Sequence, residues 1–390
     1  MSLSAAERLR YARHLALPEI GEAGQQKLQA ARVLVIGTGG LGSPAALYLA
    51  AAGIGHLGVL DCDRIEASNL QRQVLYDSAG IGLPKAELAR TRLAALNPEL
   101  QIEAHQTELC AANVRGIFER YDIIVDGSDR IATRYLVNDA CVIYRKSLVS
   151  AAIHRFEGQA MTYVPDRGPC YRCLFPNMAE GVTPNCAEAG VLGVLPGVLG
   201  AIQATEAIKL VVGIGSPLIG RLLTYDALDM RFQELACKRR ADCAVCGEQP
   251  SITAPQDPPG FCTADELRRV RSISATQLAR RIQAAGQATG QAAGQATGQP
   301  TGEPISLIDV REPAEFAASH LPRAINIPLG AVEQRGRQLP HAGTVVFVCR
   351  SGVRSRQACA LADRMGVSEA WQLEGGLLAW KAEVDPTLRL

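Results

Sequence analysis

Short apolar runs alternate with segments of helical periodicity along the first half of the chain. The runs that predict strands cover residues 32–36, 56–60, 100–105 and 123–125. The segments that predict helices between them cover residues 43–52 and 85–96. This alternation predicts an α/β domain with a parallel, doubly wound sheet, which we expect to span residues 1–247.

A second, smaller α/β domain follows a proline-rich segment. Four prolines fall within residues 248–271, which we interpret as a linker. The second domain should span residues 272–390, with helices and strands predicted at residues 276–283, 305–310, 344–349 and 355–364. Within it, residues 286–302 repeat the tetrapeptides GQAT, GQAA, GQAT and GQPT. Such residues cannot bury a core, so we predict a flexible loop insertion there.

The composition is that of a soluble globular protein and narrows the classes of function. Of 390 residues, 47% are hydrophobic and 20% charged, and the net charge of +1 argues against a nucleic-acid binder. Residues 1–17 mix charged with apolar residues, unlike a secretory signal. The most apolar stretch, residues 189–212, contains Glu206 and Lys209 and predicts a buried helix, not a membrane span. With 12 cysteines and no signal, we expect metal or thiol chemistry in the cytoplasm.

A glycine-rich turn follows the first strand and opens the next helix. It has the pattern G-x-G-x-x-G, with glycines at Gly37, Gly39, Gly40 and Gly42. Such glycines let the backbone approach phosphates at a helix N-terminus. Asp61 ends the next strand, where a carboxylate that binds ribose belongs. Taken alone, this pattern favours an NAD-dependent oxidoreductase.

The polar residues that follow change the preferred nucleotide from NAD to ATP. Arg72 and Lys85 add two cations after Asp61, and Asp129 follows the strand at 123–125. A triphosphate carries more charge than a dinucleotide pyrophosphate, and its transfer needs cationic groups and a carboxylate for Mg²⁺. The set therefore favours ATP with magnesium, and Arg13 is a further candidate from the N-terminal segment.

The segments GTGGLG, SNLQRQ, GLPKAE and VDGSD together resemble the ubiquitin-activating-enzyme-like adenylyltransferases, whose prokaryotic branch includes MoeB and ThiF. The resemblance covers about residues 9–247 and implies a Rossmann-like domain that adenylates the C-terminal glycine of a ubiquitin-like protein. It places Gly40 at the phosphates, Asp61 at the ribose and Asp129 on Mg²⁺. It implies triphosphate contacts from Asn69, Arg72 and Lys85, and it includes Ser68 among the residues that bind the cofactor. Arg13 would act across a homodimer interface, and Arg130 stands near the base, where relatives often have Asn.

Two C-x-x-C pairs offer four thiolates to a metal ion. They are Cys170 with Cys173 and Cys243 with Cys246. Four thiolates form a closed tetrahedral zinc site, whereas redox-active pairs or a chance arrangement remain alternatives. The resemblance places a structural zinc ion at these four positions.

Cys349 lies between a predicted strand and a predicted helix. The loop that follows it contains Arg350, Ser351, Gly352, Val353 and Arg354. Converging backbone N–H groups and two arginines should lower the pKa of the thiol. A phosphatase loop needs arginine at position 355, which is serine here. The loop, with LIDVRE at 307–312 and LEGG at 373–376, instead resembles the rhodanese sulfurtransferases over about residues 272–385 and implies a persulfide on Cys349.

A further cysteine, Cys186, lies in the segment PNCAEAG ahead of the apolar helix. The activating enzymes carry a functional cysteine in a similar setting. Cys186 would then accept the acyl group as a thioester or pair with Cys349 in a disulfide. A purely structural thiol is an equal alternative from the residues alone.

Both halves together resemble the MoeB–rhodanese fusion proteins. The expected reaction is ATP-dependent adenylation of a ubiquitin-like sulfur carrier ending in Gly-Gly, most simply the small subunit of molybdopterin synthase, followed by sulfur transfer that leaves a thiocarboxylate. The sulfur would come from thiosulfate or from a cysteine desulfurase persulfide. Alternatives from other classes are an NAD-dependent oxidoreductase with an added rhodanese domain and a non-catalytic scaffold for ubiquitin-like proteins.

Overall fold

The computed structural model describes residues 3–176, 190–257, 262, 264–290, 305–336, 339 and 343–389. The chain divides into two compact units, one comprising residues 1–257 and the other residues 258–390. Each unit has its own sheet and its own hydrophobic core.

The first unit is built on an eight-stranded sheet in the order β3-β2-β1-β4-β5-β6-β7-β8. Its strands are β1 (Arg32–Ile36), β2 (His56–Leu60), β3 (Gln101–His105), β4 (Ile123–Asp126), β5 (Ser147–His154), β6 (Glu157–Tyr163), β7 (Arg221–Asp226) and β8 (Arg231–Ala236). The strands from β3 to β5 pair in parallel, which confirms the predicted doubly wound α/β fold. From β5 to β8 the pairing is antiparallel.

Helices cover both faces of the parallel part of this sheet. They are α1 (Ala5–Arg10), α2 (Ala12–Leu15), α3 (Gly21–Ala30), α4 (Gly42–Ala52), α5 (Lys85–Leu96), α6 (Val114–Phe118), α7 (Ile131–Ile143), α8 (Tyr171–Leu174) and α9 (Leu195–Val212). Val33 and Val35 of β1 pack in one core with α4, whereas Leu34 and Ile36 pack in a second core with α7. Because both faces are covered, β1 is a continuous apolar run without polar alternation.

Helix α9 is long and apolar enough to cross a membrane, yet half of it is buried within this unit. It packs against α4, β5 and β6. Two of its polar side chains form hydrogen bonds inside the fold: Gln203 donates to the carbonyl of Asp126 over 2.7 Å, and Glu206 accepts from the hydroxyl of Thr162 over 2.8 Å. This packing agrees with the buried helix that the sequence predicts.

The second unit has a five-stranded parallel sheet in the order β11-β10-β12-β13-β9. The strands are β9 (Arg271–Ile273), β10 (Ile305–Asp309), β11 (Ile325–Asn326), β12 (Thr344–Val348) and β13 (Ala370–Leu373). The helices are α10 (Ala264–Arg269), α11 (Ala275–Gly290), α12 (Pro313–Ala318), α13 (Val353–Arg364) and α14 (Gly376–Glu383).

Two segments differ from their sequence-based expectation. The C-terminal part of the predicted linker, 248–271, contains helix α10 and the first residue of β9. β9 is a three-residue edge strand, too short to show a period. Helix α11 also extends to Gly290, into the predicted insertion at 286–302, whose residues 291–302 lie outside the described residues.

Candidate functional site

The glycine-rich turn joins β1 to α4 and requires glycine at two positions. Gly37 has a φ of +76°, in the left-handed region that favours glycine. A Cβ on Gly42 would lie 1.8 Å from the carbonyl oxygen of Gly37. The backbone of the turn, which includes Gly39 and Gly40, is thereby folded tightly against the first residues of α4. This arrangement presents free N–H groups at a helix N-terminus, as an anion site requires.

Asp61, at the end of β2, is hydrogen-bonded to this turn. Its Oδ2 accepts from the backbone N–H of Thr38 over 2.8 Å and from the Thr38 hydroxyl over 2.9 Å. Its Oδ1 accepts from the N–H of Asp63 over 2.9 Å. Burial raises the pKa of Asp61, and the charge of Lys85 opposes that rise. Asp61 therefore holds the turn in place as well as standing where a ribose is expected.

Lys85, the first residue of α5, is a buried cation among carboxylates. Its Nζ lies 3.1 Å from Oδ2 of Asp63, and only 7% of its side chain is exposed. Burial disfavours its charged form, but Asp61, Asp63 and Asp129 outweigh this effect and raise the pKa of Lys85. The ammonium group thus stays charged beside the turn, where it is available to a phosphate.

The segment after β2 brings Arg72 beside the glycine turn. Ser68 and Asn69 form part of a short 3-10 helix, Ala67–Asn69, whose start is capped by the Asn69 side chain accepting from the N–H of Glu66 over 3.2 Å. Arg72 donates to the carbonyl of Ser68 over 3.0 Å. Its Cγ lies 3.6 Å from the position that a Cβ on Gly40 would take.

The loop after β4 is organised by a buried carboxylate. Both the N–H and the hydroxyl of Ser128 donate to Oδ1 of Asp126, over 3.0 and 2.6 Å. Arg134 donates twice to the carbonyl of Ser128, over 3.2 and 2.9 Å. Burial raises the pKa of Asp126, and Arg134 opposes that rise. Asp129 follows in this loop. Its side chain is exposed, and its charge is close enough to Lys85 to help raise the pKa of that residue.

Arg130, which directly precedes α7, forms an ion pair with Glu108. The Glu108 side chain is 10% exposed, and its Oε2 is buried without a hydrogen-bond partner among the described residues. Glu108 follows β3, and its carbonyl accepts from the side-chain amide of Asn113 over 2.8 Å.

The adjacency of β2, β1 and β4 brings most of the predicted nucleotide residues to one edge of the sheet. Arg13 is exposed on α2, and the structure shows no contact between it and this group within the described ranges. Cys186 lies outside the described residues. Sequence reasoning missed four charged residues of the site, namely Asp63, Glu108, Asp126 and Arg134. Asp126 had a signal, since it lies within the segment VDGSD, whereas Asp63, Glu108 and Arg134 lie outside the segments that carry the resemblance.

The four cysteines of the two C-x-x-C pairs converge in the first unit. All four are buried, and their sulfur atoms lie within 4.8 Å of one another. The Sγ–Sγ distances are 3.9 Å for Cys170–Cys173, 3.6 Å for Cys170–Cys243 and 3.4 Å for Cys173–Cys246. A tetrahedral zinc ion with Zn–S bonds of about 2.3 Å separates its sulfurs by about 3.8 Å, so the donor set and its spacing fit zinc.

Cys349 directly follows β12 and sits at the centre of the loop that leads into α13. The backbone N–H groups of Gly352 and Ser355 donate to its Sγ over 3.1 and 3.3 Å. The thiol is 1% exposed. A Cβ on Gly376 would lie 2.4 Å from the Cys349 carbonyl, so the start of α14 closes against the loop. The loop is therefore a cradle of backbone donors around one sulfur atom.

The two arginines of this loop differ in their surroundings. Arg350 is exposed, whereas Arg354 makes a bidentate ion pair with Glu315 of α12 over 2.7 and 2.8 Å. Among the other loop residues, Ser351 is half-buried and Val353 is 48% exposed. The charge of Arg354 is compensated by Glu315, so it adds less positive potential at Cys349 than the sequence analysis expected.

Comparisons with known proteins give a family match for each of the two units. The ThiF family model matches residues 11–245, and the rhodanese-like domain model matches residues 292–383. The chain is 40% identical to the probable adenylyltransferase/sulfurtransferase MoeZ of Mycobacterium tuberculosis H37Rv, over 99% of this chain and 96% of MoeZ. It is 41% identical to the adenylyltransferase and sulfurtransferase MOCS3 of Aedes aegypti, over 97% of this chain and 87% of that protein.

Solved structures show the same fold for the first unit. A crystal structure of Escherichia coli MccB covers 61% of this chain and 75% of MccB with a TM-score of 0.56 and 24% identity, which speaks to the fold alone. Together, the family models and the full-length relatives confirm the resemblance to the MoeB–rhodanese fusions. The chain belongs to the ThiF family and, within it, to the adenylyltransferase–sulfurtransferases that end in a rhodanese-like domain.

Proposed function

We propose that this enzyme adenylates the C-terminal glycine of a ubiquitin-like sulfur carrier and then delivers sulfur to it from a persulfide on Cys349. The observation that carries the proposal is the presence on one chain of a buried cation at a phosphate-binding turn and of a sulfur cradle. An NAD-dependent oxidoreductase or a non-catalytic scaffold would not need both the buried cation and the sulfur cradle. The relatives MoeZ and MOCS3 are named for the same two activities.

In the first step, a terminal carboxylate oxygen of the carrier attacks the α-phosphorus of ATP. An acyl–phosphate bond forms, the bond between the α-phosphorus and the bridging oxygen breaks, and pyrophosphate leaves. Lys85 and Arg72 stabilise the charge that develops on the phosphate oxygens, because both are already fixed beside the turn. Arg13 of a second copy would add to them in a homodimer, which we infer from the exposure of Arg13 on α2.

The acidic residues of the site fit a role with magnesium. Mg²⁺ prefers carboxylate oxygens and the phosphates of a bound nucleotide. Asp129 is exposed at the same sheet edge as Lys85, so we assign it to hold the ion. Magnesium would neutralise phosphate charge during the transfer. The cluster of Lys85 with Asp63 supports ATP over NAD, since a hydride transfer has no use for a buried cation beside the phosphates.

In the second step, the outer sulfur of the Cys349 persulfide attacks the carbonyl carbon of the acyl-adenylate. A carbon–sulfur bond forms, AMP leaves, and the carrier is joined to Cys349 by an acyl disulfide. A thiol then attacks the Cys349 sulfur: the acyl group departs as a thiocarboxylate, and a disulfide to Cys349 remains for a cellular thiol to reduce. Cys186 is our candidate for that thiol, with a Cys186 thioester as the competing route.

The backbone donors around Cys349 support its role as the sulfur carrier residue. N–H groups from Gly352 and Ser355 already point at Sγ and would stabilise negative charge on a sulfur anion. The exposed Arg350 suits an anionic donor such as thiosulfate, and a desulfurase persulfide is the other candidate. The four cysteines of the first unit would hold a structural zinc ion that links the β6–α8 segment to the segment after β8.

The proposal also covers the compartment, the domain boundaries and the carrier. We place the protein in the cytoplasm, where thiols and thiolates persist. We keep residues 1–247 as the adenylation domain and residues 272–390 as the sulfurtransferase domain. Among carriers, we favour the small subunit of molybdopterin synthase.

The test is isotope exchange between pyrophosphate and ATP in the presence of a panel of Gly-Gly-tailed carriers. Exchange that depends on one carrier would establish adenylation and identify the pathway. NAD binding serves as the control. Binding of NAD without exchange with any carrier would refute the adenylation step and leave sulfur transfer by Cys349 alone.

A further inference from the structure

The ion pair between Glu108 and Arg130 lies at the nucleotide edge of the sheet and has no role in the steps above. One carboxylate oxygen, Oε1, pairs with Arg130, and the side chain as a whole is 10% exposed. The other oxygen, Oε2, is buried and lacks a hydrogen-bond donor within the part of the chain that the structure describes. A buried carboxylate oxygen without a donor is unfavourable, so a donor from a ligand would complete this site.

The order of the strands indicates where the base of a bound nucleotide would lie. In the sheet, β1 leads into the glycine turn, β2 lies next to β1 and is followed by Asp61, and β3 lies beyond β2. A nucleotide with its phosphates at the turn and its ribose at Asp61 therefore directs its base towards the end of β3. Glu108 follows β3 at this end.

Cys62 lies close both to Asp61 and to the ion pair of Glu108 and Arg130. It follows Asp61 directly, and its thiol experiences the charges of both Glu108 and Arg130. Burial is the main effect that raises the pKa of Cys62 to about 12, with nearby carboxylates adding to it and Arg130 opposing it. The Cys62 thiol is therefore neutral and adds no charge beside the ion pair of Glu108 and Arg130.

Resting on the proposed function, we propose that Glu108 selects adenine. Its Oε2 accepts a hydrogen bond from the exocyclic amine of the base, while Arg130 fixes the carboxylate through Oε1. A purine bound in the same orientation with a carbonyl at position 6 would present lone pairs to the carboxylate, with no proton between the two oxygens. Inosine and guanine nucleotides are therefore rejected by repulsion as well as by the missing hydrogen bond.

The test is calorimetric titration of the full-length protein with ATP and with inosine triphosphate, which carries a carbonyl in place of the amine. Magnesium is present and the carrier is omitted. We expect the wild type to bind ATP about tenfold or more tightly, the value of one hydrogen bond to a charged group. In Glu108→Gln, the amide donates to a carbonyl as readily as it accepts from an amine, so this preference should be lost.

The matched control makes the same chemical change five residues earlier in the chain. Glu103 of β3 pairs with Arg120 and not with Arg130. Glu103→Gln should keep the wild-type ratio of ATP to inosine triphosphate affinity. A ratio that falls equally in both variants would overturn the proposal, because it would indicate a general effect of removing a carboxylate from this part of the chain.

The remaining outcomes separate this inference from the proposed function. A folded Glu108→Gln protein that keeps the wild-type ratio, or a wild type without a preference, overturns the role of Glu108. If Glu108→Gln does not fold, Glu108→Asp withdraws the carboxylate by one methylene and must also lower the ratio. Carrier-dependent pyrophosphate exchange with an unchanged ratio leaves the adenylation function standing and removes only the inference. A wild type that neither binds ATP nor catalyses exchange refutes both.

Discussion

Replacement of Lys85 by methionine should disable adenylation while leaving the fold nearly as stable. The side chain is 7% exposed, and its Nζ lies 3.1 Å from the Asp63 carboxylate. Methionine is similar in length and apolar, so it fills the space of the lysine stem but removes the charge. The variant therefore isolates the electrostatic contribution of this residue.

The structure gives different magnitudes for stability and for catalysis. At 3.1 Å in an effective dielectric of about 20, the attraction between Lys85 and Asp63 is about 5 kcal/mol. Because 67% of the Asp63 side chain is exposed, solvent screening reduces the net contribution to about 1 kcal/mol. Loss of a preorganised group that stabilises transition-state charge costs about 3–4 kcal/mol, or roughly 100- to 1000-fold in rate.

The assay is carrier-dependent pyrophosphate exchange, run beside urea unfolding of the same proteins. Lys27→Met is the matched control: the Nζ of Lys27, on α3, donates to the carbonyl of Val212, the last residue of α9, over 2.6 Å. We expect exchange to fall by about two to three orders of magnitude in Lys85→Met only. Less than a tenfold loss in a folded Lys85→Met protein would show that Lys85 does not stabilise the transferring phosphate.

Three further predictions concern the sulfur cradle, the cysteine cluster and acid stability. Cys349→Ala should abolish thiocarboxylate formation, measured by mass spectrometry of the carrier, and leave exchange unchanged, whereas Cys359→Ala, in the same core, should affect neither. Cys243→Ser should release the zinc found by metal analysis of the wild type and lower the melting temperature by about 5 °C or more; a wild type without zinc would contradict this. Hydrogen bonds from Arg354 lower the pKa of Glu315, so their contribution to stability is present above the ordinary glutamate pKa of about 4.3 and is lost as pH falls through the lower folded value. Arg354→Gln should therefore reduce the melting temperature at pH 7 more than at pH 3, and an equal reduction at both values would refute this linkage.

The strands and helices that the sequence predicted best are those whose burial leaves a clear pattern. β1, β2 and α5 begin and end at the predicted residues, since a parallel strand covered on both faces is an uninterrupted apolar run. β8 gave no such signal. All of its residues are exposed, so neither face carries a hydrophobic period.

The candidate site divides in the same way. The glycine turn and the cysteine pairs were predictable because their chemistry depends on residues that are close in sequence. Glu108 and Arg134 were not predictable. Glu108 meets Arg130 only through the tertiary structure, and Arg134 reaches the Ser128 carbonyl across a helical turn that no motif marks. The compensation of Arg354 by Glu315 was likewise hidden, since 39 residues separate the pair.

The near-complete burial of Cys349 limits which molecules could react with the sulfur that it would carry under the proposed function. A persulfide adds its outer sulfur about 2 Å beyond Sγ, so the labile atom stands nearer the mouth of the loop than the thiol to which it is attached. Solvent and small oxidants then meet the outer atom before the inner one. A narrow group, such as an extended peptide terminus, has the shape needed to approach it. Selectivity for a carrier tail would in this way arise from steric access as much as from affinity.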